Sequence, residues 1–201
     1  MIRIFTLTVL AISVLAQGPS AAQFLRSLNK IRTNPAGFIP YITLYRNAFD
    51  AKEKLAKPPG RPALQAESVA EFDETIAFLK YQATQSRLAP LTLHSRLSQV
   101  AYGHAKYLGS KGIGGEPGQG GTTAGQRMGK VTTPIWESRM SQFPPYDANF
   151  LNVINVLNSN DPSKKHRKAF FNPALKVAGF ACAPHPKWNL ICVLDYAAAA
   201  E

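Results

Sequence analysis

Histidine, cysteine and acidic side chains are all scarce in this sequence, and each scarcity removes a class of chemistry. Two cysteines and four histidines are present. They form no C-x-x-C, which argues against thiol redox catalysis, and no H-E-x-x-H or Cys/His zinc spacing. No serine sits in a G-x-S-x-G elbow. Residues 112–121 hold six glycines, yet in neither the G-x-G-x-x-G nor the Walker A order, and no strand pattern precedes them. That stretch reads as backbone turns, or as main chain approaching a shallow site. No Asn-x-Ser/Thr has a permitted middle residue, so N-glycosylation is not expected.

Acids are outnumbered: 12 Asp+Glu against 23 Lys+Arg, a net charge of +11 and a pI near 9.8. Residues 75–201 alone hold 14 Lys+Arg and 6 Asp+Glu. Such a balance favours an acidic partner, whether protein, polysaccharide or membrane surface. Hydrophobic residues at 45% and charged residues at 17% describe a chain with a core, not a disordered one.

Long apolar runs are missing too. The longest opens the chain, where Met1-Ile2-Arg3 precedes an uncharged run from Ile4 to Leu15. This is too short to cross about 30 Å of hydrocarbon. With Val14-Leu15-Ala16 at its end it reads as a secretory signal over residues 1–16, cleaved before Gln17. A mitochondrial presequence would carry more arginine than Arg3. The expected organisation is a signal at 1–16 and a single domain over 17–201, secreted and extracellular.

Cys182 and Cys192 flank turn residues Pro184-His185-Pro186-Lys187, with apolar residues around both cysteines. The pattern predicts a hairpin, with strands near 177–183 and 190–196. Cysteines equidistant from the turn would face each other, and an oxidising compartment would close the disulfide. Two reduced core thiols are the alternative.

Four helices are predicted. The first covers about 20–33, with Phe24, Leu25, Leu28 and Ile31 on one face, and ends before Pro35. The second opens at Ser68 with Glu71 completing a capping box, and buries Phe72, Ile76 and Leu79. The third spans about 95–110 with Leu97, Val100, Ala101, His104 and Leu108 in one stripe. The fourth spans about 147–157. Residues 49–62, rich in Lys and Pro, read as an exposed connection. Helices first and a hairpin last imply an α+β domain whose antiparallel sheet is covered by helices.

Among the histidines, His104 lies on an apolar stripe and reads as a core residue. His94 belongs to a helix cap, and His185 sits in the hairpin turn, where solvent is expected. His166 stands apart, inside Lys164-Lys165-His166-Arg167-Lys168. Neighbouring cations disfavour imidazolium and keep the ring in the neutral form that accepts a proton or binds metal. A solvated basic loop is the plainer alternative.

The stretches from Phe24 to Pro35, from Leu91 to His104, Lys165-His166-Arg167 leading to Phe171-Asn172-Pro173, and the Cys182 hairpin occur in an order that resembles the CAP superfamily. These are the cysteine-rich secretory, antigen 5 and pathogenesis-related proteins, or SCP-like extracellular domains. The likeness is to the protozoan and bacterial-type branch, whose motif runs roughly G-H-R-x-N-x-x-N-P, and it covers about residues 22–197. It implies a three-layer α-β-α sandwich with a small antiparallel sheet. It also implies a cleft of two histidines and two acids, able in some members to hold a divalent metal.

Carried over, that site is altered. His166 matches the histidine of G-H-R with Lys165 in place of the glycine. Glu137, in Trp136-Glu137-Ser138, falls at the glutamate of G-E-N. Glu116 stands where the second histidine is expected, and Asp161 is an approximate match to the remaining acid. Glu116, Glu137 and His166 would be a legitimate ligand set for zinc. The cations around His166 compete for the same carboxylates, and a metal-free site is the expectation.

The reading that follows is a secreted, non-catalytic binding module for a lipid, sterol, acidic protein or polysaccharide, without a cofactor. One alternative is a metal-assisted hydrolase with His166 as general base and Glu137 orienting it. Another is a structural component of an extracellular or surface assembly. Nucleic acid is not expected, because no helix-turn-helix, zinc finger or aromatic platform is recognisable.

Overall fold

The computed structural model describes residues 18–115, 117–129, 131–142, 147–159 and 161–200, with backbone alone for 132–142 and 199–200. The proposed signal and Glu116 lie outside the described residues.

Helix α1 (Ala21–Thr33) begins where predicted. Ser20 Oγ accepts from the Gln23 N–H, and Gln23 Oε1 accepts from the Ser20 N–H, satisfying two otherwise orphaned donors. A 3-10 turn at Pro35–Phe38 leads into α2 (Ile39–Asn47), which the residue pattern did not announce. Pro40 hid it, yet a proline in the first helical turn sacrifices no hydrogen bond. The connection expected to be exposed forms a small antiparallel sheet of β1 (Phe49–Asp50), β2 (Leu55–Ala56) and β3 (Leu64–Gln65). Its lysines face water, whereas Ala56 and Pro58 are buried.

Helix α3 (Val69–Thr84) starts after Ser68 as expected, but the capping box does not form. Glu71 turns its carboxylate to the Glu67 N–H and to Ser159 Oγ instead. Strand β4 (Thr92–Leu93) precedes α4 (Ser95–Lys111), capped by His94, whose Nδ1 accepts from the Leu97 N–H at 3.2 Å. Gly112 closes α4 at φ 63°, a conformation that favours glycine. There follow α5 (Ala124–Met128), β5 (Thr132–Gln142), α6 (Ala148–Leu157), α7 (Lys165–Phe170), β6 (Val177–His185) and β7 (Asn189–Ala200).

The main sheet has the order β4-β6-β7-β5. Strands β6 and β7 form the predicted hairpin in a register that pairs Cys182 with Cys192, and the two are joined as a disulfide. Strand β5 runs antiparallel to β7, while short β4 joins β6 in parallel, so the sheet is antiparallel except at that edge.

Side-chain alternation along the hairpin creates the layers. Ala178, Phe180, Cys192, Leu194 and Tyr196 join the larger core beneath α1, α3, α6 and α7. There Phe24 stacks on Phe180 at 4.1 Å, and Phe170 meets Tyr196 edge-on. Ala183, Ile191 and Val193 face the other way, onto Ala101, Ala105 and Leu108 of α4. The result is a three-layer α-β-α sandwich.

Helix α4 lies unusually close to β6, and two glycines allow it. A Cβ at Gly109 would fall 2.1 Å from the Pro184 carbonyl oxygen, and one at Gly179 would fall 2.3 Å from the Leu97 backbone. One glycine is on the helix and one on the strand, so the contact depends on missing side chains from both partners.

His185 departs from expectation. It is only 3% exposed and stacks on Trp188 at 4.2 Å. Its Nδ1 accepts from the Lys187 and Trp188 N–H groups, and its Nε2 faces the Ile113 carbonyl at 3.3 Å. A turn histidine that satisfies its own turn's backbone donors is drawn in rather than solvated.

Candidate functional site

The motifs that carried the resemblance fall into two groups: those that fix the architecture and those around His166. Asn29 and Arg32, one turn apart on α1, are architectural. Asn29 exchanges two hydrogen bonds with the backbone of Leu91, at 2.9 and 2.8 Å. Arg32 is 1% exposed and donates to the carbonyls of Ala89, Phe170 and Asn172. One helix face thereby pins the approach to β4 and the exit of α7. Burial pulls the Arg32 guanidinium below its usual pKa and pushes the Tyr196 phenol well above its own.

His166 lies in the first turn of α7. The turn is organised by Asn158, which ends α6 in the left-handed conformation at φ 48°. Its Oδ1 accepts from the N–H of His166 at 2.7 Å and of Arg167 at 3.4 Å. Its Nδ2 donates to Asp161, whose other contacts are the Ser163 N–H, the Ser163 hydroxyl and the Lys165 N–H. The Ser163 hydroxyl chiefly, helped by Asn158 and two backbone N–H groups, holds the Asp161 carboxyl down at about 2. Asp161 is therefore committed to the turn that presents His166, a poor fit for a metal ligand.

Two of the four cations around His166 are also engaged, with partners other than those expected, while Lys165 and Lys168 are exposed. Arg167, 1% exposed, makes a two-pronged pair with Glu74 of α3 at 2.8 and 2.7 Å and lies over the Phe78 ring. Lys164 reaches Glu71, one turn earlier on α3, at 3.5 Å and the Asn158 carbonyl at 3.1 Å. Burial raises the Glu71 carboxyl, but bonds from Ser159, the Glu67 N–H and Lys164 together hold it below its usual value. Nothing in residues 71–74 as a sequence announced this pairing beyond two acids at helical spacing.

Glu137 is described by its backbone, which pairs with Asp195 of β7. Asp195 is 2% exposed and was not singled out from sequence. A lone acid in the apolar run Val193-Leu194-Asp195-Tyr196 was the available signal. His104 is buried on the inner face of α4, as predicted. Among the described residues no group of three His, Cys, Asp or Glu side chains is placed to hold a metal.

A second neighbourhood surrounds the glycine-rich segment. Trp188 packs where a Cβ on Gly114 would stand, and Pro186 touches the corresponding position of Gly112. The hairpin turn thus clasps residues 112–114 just beyond α4. Lys106, Tyr107, Ser110 and Lys111 of α4, with Gln119 and backbone at Gly103 and Gly120, line an open groove of about 580 Å³.

The described residues thus form a hairpin-centred α-β-α sandwich with a histidine presented just beyond α6. Residues 25–196 match the family model of CAP, the cysteine-rich secretory protein family, and the chain belongs to it. Solved structures with similarity include an extracellular SCP-domain protein of Bacillus anthracis, at 20% identity and TM-score 0.43 over 64% of this chain and 39% of that one. An outer surface protein of Borrelia burgdorferi is similar at 20% identity and TM-score 0.43, over 62% of this chain and 87% of its own. A cysteine-rich secretory protein of Staphylococcus aureus follows at 16% identity and TM-score 0.37, over 64% of this chain and 37% of that one. The chain spans less than half the length of the Bacillus and Staphylococcus proteins. No curated protein matches.

Proposed function

We propose that the protein is a non-catalytic binding module working outside the cell on an acidic partner. The observation that carries this reading is the engagement of Asp161, Lys164 and Arg167 around His166. Asp161 caps the turn, Arg167 is held by Glu74, and Lys164 leans on Glu71 and the Asn158 carbonyl. These three groups are thereby spent on building α7 and its approach rather than offered to a substrate. The Cys182–Cys192 disulfide fits an oxidising compartment, and the net charge of +11 favours a negatively charged partner.

Native mass spectrometry of the protein isolated from its source, before and after a high-salt wash, tests this reading. The expected species is an oxidised chain carrying an acidic partner that salt removes, unaffected by His166→Ala. A stoichiometric zinc ion lost on His166→Ala, together with hydrolytic activity, would overturn it in favour of the hydrolase.

A further inference from the structure

Charge is distributed along the chain with an abrupt asymmetry. Between Glu74 and Glu137 the only acid is Glu116, while Lys80, Arg87, Arg96, Lys106, Lys111, Arg127 and Lys130 fall in the same span. Helix α4 collects three of these cations. Its inner face is the Ala101, Ala105 and Leu108 stripe against the sheet. Arg96, Lys106 and Lys111 therefore stand on the solvent side, all exposed, with no carboxylate paired to them among the described residues. Fifteen residues of helix separate Arg96 from Lys111, about 22 Å of track. The turn that clasps residues 112–114 brings Lys187, lying over Trp188, to the end of that track.

The groove described above runs along it, and its floor is bare main chain. A Cβ at Gly103 or at Gly120 would meet nothing within 4 Å. Its walls carry ammonium groups from Lys106 and Lys111, hydroxyls from Tyr107 and Ser110, the amide of Gln119 and the Tyr107 ring, with no branched aliphatic side chain among the described residues that line it. We infer that this groove binds an anionic polysaccharide, whose carboxylate or sulfate groups meet the lysines and whose hydroxyls meet Ser110, Tyr107 and Gln119. Its aromatic ring and surrounding hydroxyls and ammonium groups suit linked sugar rings better than the broad apolar core that a protein interface needs. A glycine floor admits a chain of linked rings lying flat against backbone.

The inference rests on the proposed binding function and names its partner and its surface. The test measures affinity of the purified, disulfide-bonded protein for heparin, uncharged dextran and duplex DNA of matched charge, across a salt series. Heparin is expected to bind, weakening as salt rises, with dextran inert and DNA at least tenfold weaker. Lys106→Glu with Lys111→Glu is expected to cost at least tenfold. Gly103→Leu, which fills the groove without changing charge, is expected to cost a similar factor. Lys52→Glu with Lys80→Glu, an equal charge change on exposed residues elsewhere, should stay within twofold. Equal losses from both lysine pairs would overturn the groove and leave the acidic-partner reading standing. DNA binding as tight as heparin would overturn the choice of polysaccharide. No heparin binding, with an acidic protein still retained in native mass spectra, would overturn the inference alone. Failure of both experiments would remove the binding function itself.

Discussion

Between α3 and the turn carrying His166, ion pairs are spent on structure, Glu74 with Arg167 and Glu71 with Lys164, while Arg26, Lys30, Lys80, Lys165 and Lys168 of the same layer stay exposed. On the opposite layer, α4 turns Arg96, Lys106 and Lys111 to solvent with no such partner among the described residues. The first layer uses large aromatic side chains and clasped charges to hold the loop carrying His166. The second uses alanine and glycine to bring α4 against the sheet and leaves its cations free to meet something else. Buried, paired charge builds architecture here, and the exposed cations of either layer are what remains for recognition.

Gly109→Ala strikes the comparison hardest. The added methyl would sit 2.1 Å from a carbonyl oxygen of β6, an atom that cannot rotate away. Either α4 lifts from the sheet or the strand bends. A loss of about 3 kcal/mol is expected, the upper end of overpacking costs, read by urea unfolding. A variant as stable as the parent would show that the layer is not held this close.

The clasp on the other layer should respond asymmetrically. Glu74 is 53% exposed whereas Arg167 is 1% exposed. Glu74→Ala strands a buried cation and should cost about 2–3 kcal/mol. Arg167→Met frees an acid that is already half in water and keeps the packing on Phe78, so about 1 kcal/mol or less is expected. Equal costs would mean that the pair behaves as a surface salt bridge.

Acid should test the neighbouring turn more gently. The Asp161 carboxyl is held at about 2 in the folded chain, below its unfolded value near 4. Its contribution is complete above the unfolded pKa and is lost as pH falls from about 4 to about 2. Glu71 is shifted in the same direction and adds to the loss. Denaturation midpoints measured at pH 5, 4, 3 and 2 should fall, and Asp161→Asn should flatten the part due to this turn. An unchanged slope in that variant would remove Asp161 as the group that presents His166.

Much of the fold is legible in the sequence. Four helices were readable because their apolar residues recur at helical spacing, and the hairpin because turn residues separate two apolar runs. Helix α2 was hidden by a proline near its start, and the β1–β2–β3 sheet by strands of two residues, too short for any alternation to register. The surroundings of His166 were less legible. Its cations find Glu71 and Glu74 nearly a hundred residues away, and Asp161 is consumed by a turn whose hydrogen bonds no spacing rule announces. Of the other acids that the family resemblance proposed, Glu116 lies outside the described residues and Glu137 is described by its backbone, which pairs with Asp195.

The smallest effect is the one that separates the faces of α4 most cleanly. Gly103 and Gly109 are six residues apart on one helix and on different faces of it, both with helical backbone, so intrinsic propensity treats them alike. Replacing a helical glycine with alanine lowers the entropy of the unfolded chain and gains about 0.5–1 kcal/mol where the methyl finds space. At Gly103 there is nothing within 4 Å, so Gly103→Ala should stabilise by that amount. The sign is opposite to that at Gly109, and the difference between the two variants isolates the contact with β6 from the helix itself. If Gly103→Ala destabilises instead, the outer face of α4 is already covered by part of this chain, and the groove along it is not open to a partner.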